Sequence, residues 1–231
     1  MKITILSVVP EMLSSLQASP LVCHALQKGI LELEIIDIKA YADGSFRHID
    51  DSPFGGGAGM IMRCEPVYKA YRSVYTQGCH TIIPTPAGIP YTQEKAHQLC
   101  AYDHLILIAG HYEGLDERIF DLADERICMG DYILSGGEYA CMNIADSIVR
   151  LLPGVIRQES TEDESFENGL LEYSQYTKPV EFEGKRVPDV LRSGNHGAIA
   201  KFRYEDALKK TAEYRPDLLA KYKGYCVRDE T

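Results

Sequence analysis

The sequence predicts an α/β fold, a largely parallel sheet with helices on both faces, followed by a small helical domain. Three observations carry this. Short apolar runs alternate with segments of helical periodicity from Lys2 to Leu151. Glycine-bearing loops follow several of those runs, at the edge where ligands bind in parallel sheets. After Pro153-Gly154 the alternation lapses into polar, acidic chain without periodicity.

Taken in order, Lys2–Val8 and Leu31–Ile38 read as strands, with the helical segment Met12–Lys28 between them bent near Pro20, where proline removes a helix donor. This is a βαβ opening. Helical Glu65–Gln77, strand Cys79–Pro84, helical Thr92–Leu99, strand His104–Ala109, helical Leu115–Ala123 and strand Arg126–Met129 continue it. In Glu138–Leu151, the spacing of Ala140, Ile144, Ile148 and Leu151 puts four apolar side chains on one helix face. Arg157–Asn168 is acidic and unpatterned, a linker that orders when something binds it. Tyr204–Ala212 and Pro216–Lys223 read as helices and close the chain.

Composition bounds the class. With 231 residues and 45% apolar content the chain can bury a substantial core. The N-terminus lacks a signal peptide's long apolar centre, and no run nears the roughly 18 apolar residues a membrane span needs, so a cytoplasmic location is expected. Seven cysteines without a C-x-x-C pair form neither a disulfide framework nor a zinc pattern, and read as reduced thiols. The net charge of −10 argues against a polyanionic partner until its distribution is considered. Residues 1–177 hold 12 Lys and Arg against 25 Asp and Glu, whereas residues 178–231 hold 12 against 9. A basic tail on an acidic body permits a nucleic-acid contact, as it permits an ordinary solvated face.

The stretch from Met129 to Asn143 organises the chemistry: a buried strand, a bent loop, then a helix. Paired Gly136 and Gly137 are expected to take positive φ and bring backbone close to a ligand, with the following helix start offering N–H groups to an anion. An ordinary turn between strand and helix would also use glycine. Two further loops fall on the same edge, Pro84–Gly88 and Gly110–Arg118, and three converging loops make a pocket. No G-x-x-x-x-G-K-[ST] is present, and Gly55-Gly-Gly-Ala-Gly-Met60 does not satisfy G-x-G-x-x-G, which disfavours a P-loop enzyme and an ordinary dinucleotide-binding dehydrogenase. The segment Asp50–Met60 reads as a mobile glycine loop with two carboxylates beside it, or as a plain connector.

These residues carry a resemblance. The blocks Asp50-Asp-Ser-Pro-Phe-Gly-Gly-Gly-Ala-Gly-Met60, Tyr112-Glu-Gly-Leu-Asp-Glu-Arg118, Gly130-Asp-Tyr-Ile-Leu-Ser-Gly-Gly-Glu138, Leu152-Pro-Gly-Val155, Tyr176-Thr-Lys-Pro179 and Val187-Pro-Asp-Val-Leu-Arg-Ser-Gly-Asn-His196, in that order, resemble the bacterial tRNA (guanine-N1)-methyltransferase family, TrmD, of the SPOUT class. The resemblance runs over nearly the whole chain. It implies a SPOUT-type parallel sheet with helices on both faces and a C-terminal trefoil knot, plus a small α-helical C-terminal domain, working as a homodimer with composite active sites. The knot rests on the resemblance alone, since knots are rare among folds. The division implied is 1–155 for the S-adenosylmethionine-binding knotted domain, 156–172 for a flexible acidic linker, and 173–231 for a helical tRNA-binding domain.

The implied reaction moves a methyl group from S-adenosyl-L-methionine to N1 of the guanosine immediately 3′ of the tRNA anticodon. A sulfonium donor needs no nucleophilic side chain, so the lack of a Ser-His-Asp or Cys-His signature costs nothing. The protein has to take the N1 proton, align the reactants and stabilise charge growing on the base. The family pattern places the base immediately before Ser165-Phe166, where Glu164 stands with Asp163 before it, and the cation at Arg150; of the two carboxylates, spacing to Tyr176 favours Glu164. It places donor contacts at Pro86, Gly88, Gly110, Tyr112, Glu113, Met129, Gly130, Asp131, Tyr132, Ile133, Leu134, Gly136 and Gly137, and substrate contacts at Asp50, Phe54, Gly55, Met60, His111, Ser193 and His196. The family is also associated with Mg2+, for which Glu113 is the single candidate ligand. Departures from the pattern include Ala87 for Gln, Ala109 for Cys, His111 for Arg, Arg157 for Gly, Lys178 for Arg and Phe202 for Trp; His111 replaces a permanent substrate-facing charge. Alternative readings are a SPOUT methyltransferase acting on another RNA or nucleotide, and a non-catalytic RNA-binding module, against which the converging glycine loops stand.

Overall fold

A computed structural model describes residues 1–44, 48–157 and 161–222; linker residues 158–160, Lys223 and Cys226 lie outside the described residues. The chain divides into two compact units, Met1–Ile156 and Arg157–Thr231.

In the first unit, β1 (Lys2–Ser7), β2 (Glu32–Asp37), β5 (His80–Pro90), β6 (His104–Ile108) and β7 (Glu125–Cys128) form one five-stranded sheet in the order β2-β1-β6-β5-β7, every pair parallel. Period-two alternation in the strands sorts the core onto both faces. Ile3, Ile5, Leu105 and Leu107 pack to one side with Ile144 and Ile148 of helix α5 (Glu138–Val149) and Val22 of helix α2 (Pro20–Gln27). Leu6, Ile106 and Ile108 pack to the other with Val67, Ala70 and Tyr71 of helix α3 (Cys64–Val74). Helix α4 (Gln93–Leu99), capped by the Thr92 hydroxyl accepting from Lys95 N–H at 3.2 Å, buries Leu99 in the first cluster. A short hairpin, β3 (Asp50–Asp51) with β4 (Ile61–Met62), brackets the glycine loop.

Four local expectations change. The segment Met12–Lys28 is not one bent helix: a 3-10 turn at Pro10–Leu13, helix α1 (Ser14–Gln17) and α2 succeed one another, with Pro20 starting α2 where its missing N–H is free of charge. Leu115–Ala123 is a 3-10 helix, Glu117–Leu122, started by the Asp116 carboxylate accepting from Arg118 N–H at 3.0 Å. Pro84–Gly88 is not a loop after a strand. Pro84 and Ile89 both pair with Ile127, so residues 85–88 bulge from the middle of β5 and the strand resumes. The predicted helix Tyr204–Ala212 is the centre of a longer one.

In the second unit that helix, α6 (His196–Tyr214), is capped by Asn195 accepting from Ala198 N–H at 3.1 Å, and Pro216 opens α7 (Pro216–Lys221). The chain before it is pinned to α6: Leu171 N–H donates to the Thr211 hydroxyl at 2.9 Å, Ser174 N–H to Asp206 at 2.6 Å, and Lys210 to Glu172 carbonyl oxygen at 2.8 Å. Residues 161–168 carry successive turns, with Glu164 N–H donating to Thr161 O at 3.3 Å and Asn168 Nδ2 to Glu162 O at 2.9 Å. Two residue pairs, Glu181–Phe182 (β8) and Lys185–Arg186 (β9), form a small hairpin. No helix among the described residues is long and apolar enough to cross a membrane.

Candidate active site

At the carboxyl edge of the sheet the β5 bulge, the segment after β6 and the segment between β7 and α5 enclose a cleft. Its wall includes Pro86, Gly110, His111, Tyr112, Glu113, Leu115, Met129, Gly130, Tyr132, Ile133, Leu134, Gly136 and Gly137. The sequence thus assembles here most of the expected donor contacts and His111. Gly88 and Asp131 stand outside this lining. A Cβ at Gly88 would run into the backbone of Arg126 and Ile127, so glycine there lets the bulge lie against β7. Asp131 is exposed.

Gly136 and Gly137 are glycine for a reason other than the expected one. Neither has positive φ; Gly137 sits at −70°. A Cβ at Gly137 would lie 2.7 Å from Gly110 N and 3.1 Å from Ala109 Cα, and Gly137 N–H donates to Gly110 O at 2.6 Å. Two backbones touch there. The left-handed conformation falls instead on Gly130, φ +147°, where β7 ends, and on Tyr112, φ 58°, an uncommon conformation for a residue with a side chain.

The loop after β6 is rigidly held. Arg118 chelates Asp116 through Nε at 2.9 Å and Nη2 at 2.7 Å, which keeps the Asp116 carboxyl far below the usual range. Burial, then neighbouring Asp116, pushes the Cys64 thiol up to about 11, so it stays a thiol at neutral pH. The glycine loop is tied to the same segment: Glu113 N–H donates to Met60 O at 3.0 Å, Met62 N–H to Gly114 O at 2.8 Å, and Asp116 N–H to Met62 O at 3.0 Å. Gly59 lies directly against the Glu113 side chain, and Asp50 is close enough to Tyr112 to contribute, after burial, to raising its phenol. Asp50 and Met60 therefore adjoin the cleft, while Phe54 and Gly55 project into solvent. Exposed Tyr112, Tyr132 and Ile133, the last 83% accessible, leave an apolar rim.

The remaining candidates are not part of the cleft's lining. Arg150 ends α5, opposite the cleft; from Gly137 to Arg150 the helix runs about 20 Å at its standard rise. Glu164 is half-buried and Asp163 exposed, both on a hollow of the second unit that includes Tyr173, Arg203 and Tyr204. Arg203 stacks over the Tyr173 ring at 4.6 Å. Ser193 and His196 are exposed at the start of α6. Among the described residues no group of three or more His, Cys, Asp or Glu is placed to hold a metal ion.

Sequence reasoning missed Ser7 and Glu138. Glu138 Oε1 accepts from Ser7 Oγ at 2.7 Å and Oε2 lies 3.3 Å from His111 Nδ1. The available signal was an acidic residue opening an otherwise apolar helix immediately after two glycines.

Comparison with known proteins bears on this site. The family model described as tRNA (Guanine-1)-methyltransferase TrmD matches residues 1–221. A tRNA (guanine-N(1)-)-methyltransferase of Geobacillus kaustophilus is 46% identical over 226 residues, 96% of this chain and 93% of that protein. One from Malacoplasma penetrans is 44% identical over 222 residues, covering 96% and 98%. One from Streptococcus uberis is 46% identical over 223 residues, covering 96% and 93%.

Proposed function

The chain belongs to the tRNA (guanine-N1)-methyltransferase family and is an S-adenosylmethionine-dependent tRNA methyltransferase, and from that premise we propose that it methylates N1 of the guanosine immediately 3′ of the anticodon, as a knotted homodimer with composite sites. The observation that carries the reading is the cleft at the sheet's carboxyl edge, walled by main chain from three segments and by apolar side chains. Main-chain N–H and C=O groups suit the edge of an adenine, and the apolar wall suits its face, so the residues fit the donor. Bound there, S-adenosylmethionine supplies an electrophilic methyl group on a sulfonium. Pro86, Gly110, Tyr112, Met129, Gly130, Tyr132, Ile133, Leu134 and Gly136 would hold it.

Glu164 takes the N1 proton, and Arg150 stabilises the charge that develops on guanine O6. The separation of Arg150 from the cleft along α5 supports a site completed by a second protomer, since within one chain cation and donor stand at opposite ends of a helix. The irregular segment holding Glu164 belongs to the second unit, and it is the partner's copy that meets the donor. The acidic first unit and basic tail fit this division, with the tail contacting tRNA.

Incubation with labelled donor and unmodified tRNA carrying guanosine or adenosine 3′ of the anticodon tests the reading. Label on the guanosine tRNA alone supports it; equal labelling of both, or none, sinks it. The composite arrangement has its own test. Mixing Gly137→Val with Glu164→Gln protomers under confirmed subunit exchange makes about half the dimers mixed, each with one intact site, and restores about a quarter of wild-type activity. Sites built within one chain would restore nothing.

A further inference from the structure

Among the described residues Glu138 is the only fully buried acidic side chain, at 0% exposure. A carboxylate in that position costs several kcal/mol in desolvation unless it is paired and hydrogen-bonded. Its partners are two, the Ser7 hydroxyl at 2.7 Å and His111 Nδ1 at 3.3 Å. Ser7 is itself wholly buried at the end of β1, and Gly136 leaves no room for a Cβ between the carboxylate and the imidazole. The histidine is different: it is 22% exposed and lines the donor cleft. Its ring meets Tyr112 edge-on at 5.1 Å, and its main-chain N–H is directed at Met62 Sδ at 3.2 Å. An imidazole tethered through Nδ1 carries Nε2 on the opposite side of the ring.

Resting on the methyl-transfer reading above, we infer that Glu138, oriented by Ser7, is the positioning residue for His111, and that His111 so held presents Nε2–H as a cationic donor to an anionic oxygen in the cleft. Two sources share that chemistry, a phosphate of the RNA and the carboxylate at the methionyl end of the donor. A carboxylate on one ring nitrogen sets what the other can do. With the ring neutral, Glu138 keeps the proton on Nδ1; with the ring protonated, it balances the charge and Nε2 becomes the free donor. The titratable groups around the ring are Glu138 from α5, Tyr112 from its own loop, Glu113 on the same wall of the cleft, and Asp50 beyond Tyr112. Of these, Glu138 is the one within hydrogen-bond reach of a ring nitrogen, at 3.3 Å from Nδ1.

The first arm of the test uses the unliganded protein. Nitrogen NMR of the histidine rings at alkaline pH, with His111→Gln assigning the signal, should find neutral His111 protonated on Nδ1. Glu138→Gln, whose amide can donate, should move that proton to Nε2. The second arm measures binding of unmodified tRNA and of S-adenosylmethionine as a function of salt. If the anion is RNA phosphate, His111→Gln lowers the salt slope of tRNA binding by about 0.7 to 0.9 and leaves donor affinity unchanged. If it is the donor carboxylate, donor affinity falls about tenfold with the tRNA slope unchanged. In either case His111→Arg, a permanent cation, retains the affected binding that His111→Gln loses. A neutral wild-type ring protonated on Nε2, or binding of both ligands indifferent to His111→Gln, would overturn the inference. The wild-type tautomer is measured without relying on the folding of Glu138→Gln. Absence of methyl transfer with the tautomer intact would instead overturn the functional reading.

Discussion

The two edges of this one parallel sheet are made of different materials. At the carboxyl edge, backbone meets backbone: Gly137 on Gly110, Gly88 on Ile127, the β5 bulge beside the loop after β7. At the amino edge, side chains close the surface by pairing. Lys2 reaches Glu34 at 2.8 Å and Glu32 at 3.0 Å, the Thr4 and Thr76 hydroxyls each sit 2.9 Å from a nitrogen of His104, and Lys95 meets Glu125 at 2.7 Å. A main-chain edge can shape a ligand site while its side chains vary, and it has no tolerance where a glycine separates two backbones. An edge of paired side chains contributes to stability in a way that depends on pH.

The largest expected effect lies outside both edges and serves as the reference for a lesion in chemistry alone. Glu164→Gln should slow the chemical step by roughly 10² to 10⁴-fold with donor binding intact, while Asp163→Asn is mild. The reverse order of rates in single turnover would assign the base to Asp163. Next comes the carboxyl edge. In Gly137→Val the new carbon presses on Gly110 N, a backbone atom that cannot swing aside, and donor affinity should fall by roughly a hundredfold, equivalent to about 3 kcal/mol. Donor affinity within a few-fold of wild type, by calorimetry, would show that the glycine contact does not shape the site. At the amino edge the readouts exchange places. His104→Ala removes the ring that bridges the Thr4 and Thr76 hydroxyls and opens a cavity, costing roughly 2 kcal/mol in urea unfolding, with kcat/KM kept within about twofold. A large loss of activity at preserved stability would break the contrast between the edges.

The strands, their parallel pairing and the edge used by the cleft were legible, because alternation of apolar runs and helical periods is a local signal. What escaped was set by contacts distant in sequence. The β5 bulge depends on Ile127 serving two partners, which no property of Pro84–Gly88 announces. The glycines at 136 and 137 were legible as special but for the wrong cause, since a close approach to Gly110 and a positive φ both ask for glycine. Ser7 and Glu138 lie 131 residues apart, and neither looks functional until the fold joins them. The helix expected at Leu115–Ala123 failed because Asp116 spends its carboxylate on Arg118 and tightens the turn.

The smallest effect separates the edges by pH. Burial, more than any neighbouring charge, lowers the His104 pKa below 6.5, so the folded protein holds this ring neutral. Above about 6.5 the ring is neutral in both folded and unfolded chains, and the contribution to stability is full. As pH falls below that value the unfolded chain binds a proton that the folded chain resists, and stability declines until the folded pKa is passed. The slope cannot exceed about 1.4 kcal/mol per pH unit for one group. Glu34, lowered chiefly by its hydrogen bond from Lys2, follows the same sign in a separate window: its contribution is present above the ordinary glutamate value and lost as pH falls through the folded value. Wild type should therefore lose stability from about pH 6.5 downward, and His104→Gln should flatten the upper part of that decline while leaving the part below about pH 4.5 in place. Urea midpoints across the range measure both. A variant that tracked wild type through the upper window would place that titrating group elsewhere and leave the amino edge with the Glu34 contribution of the lower window.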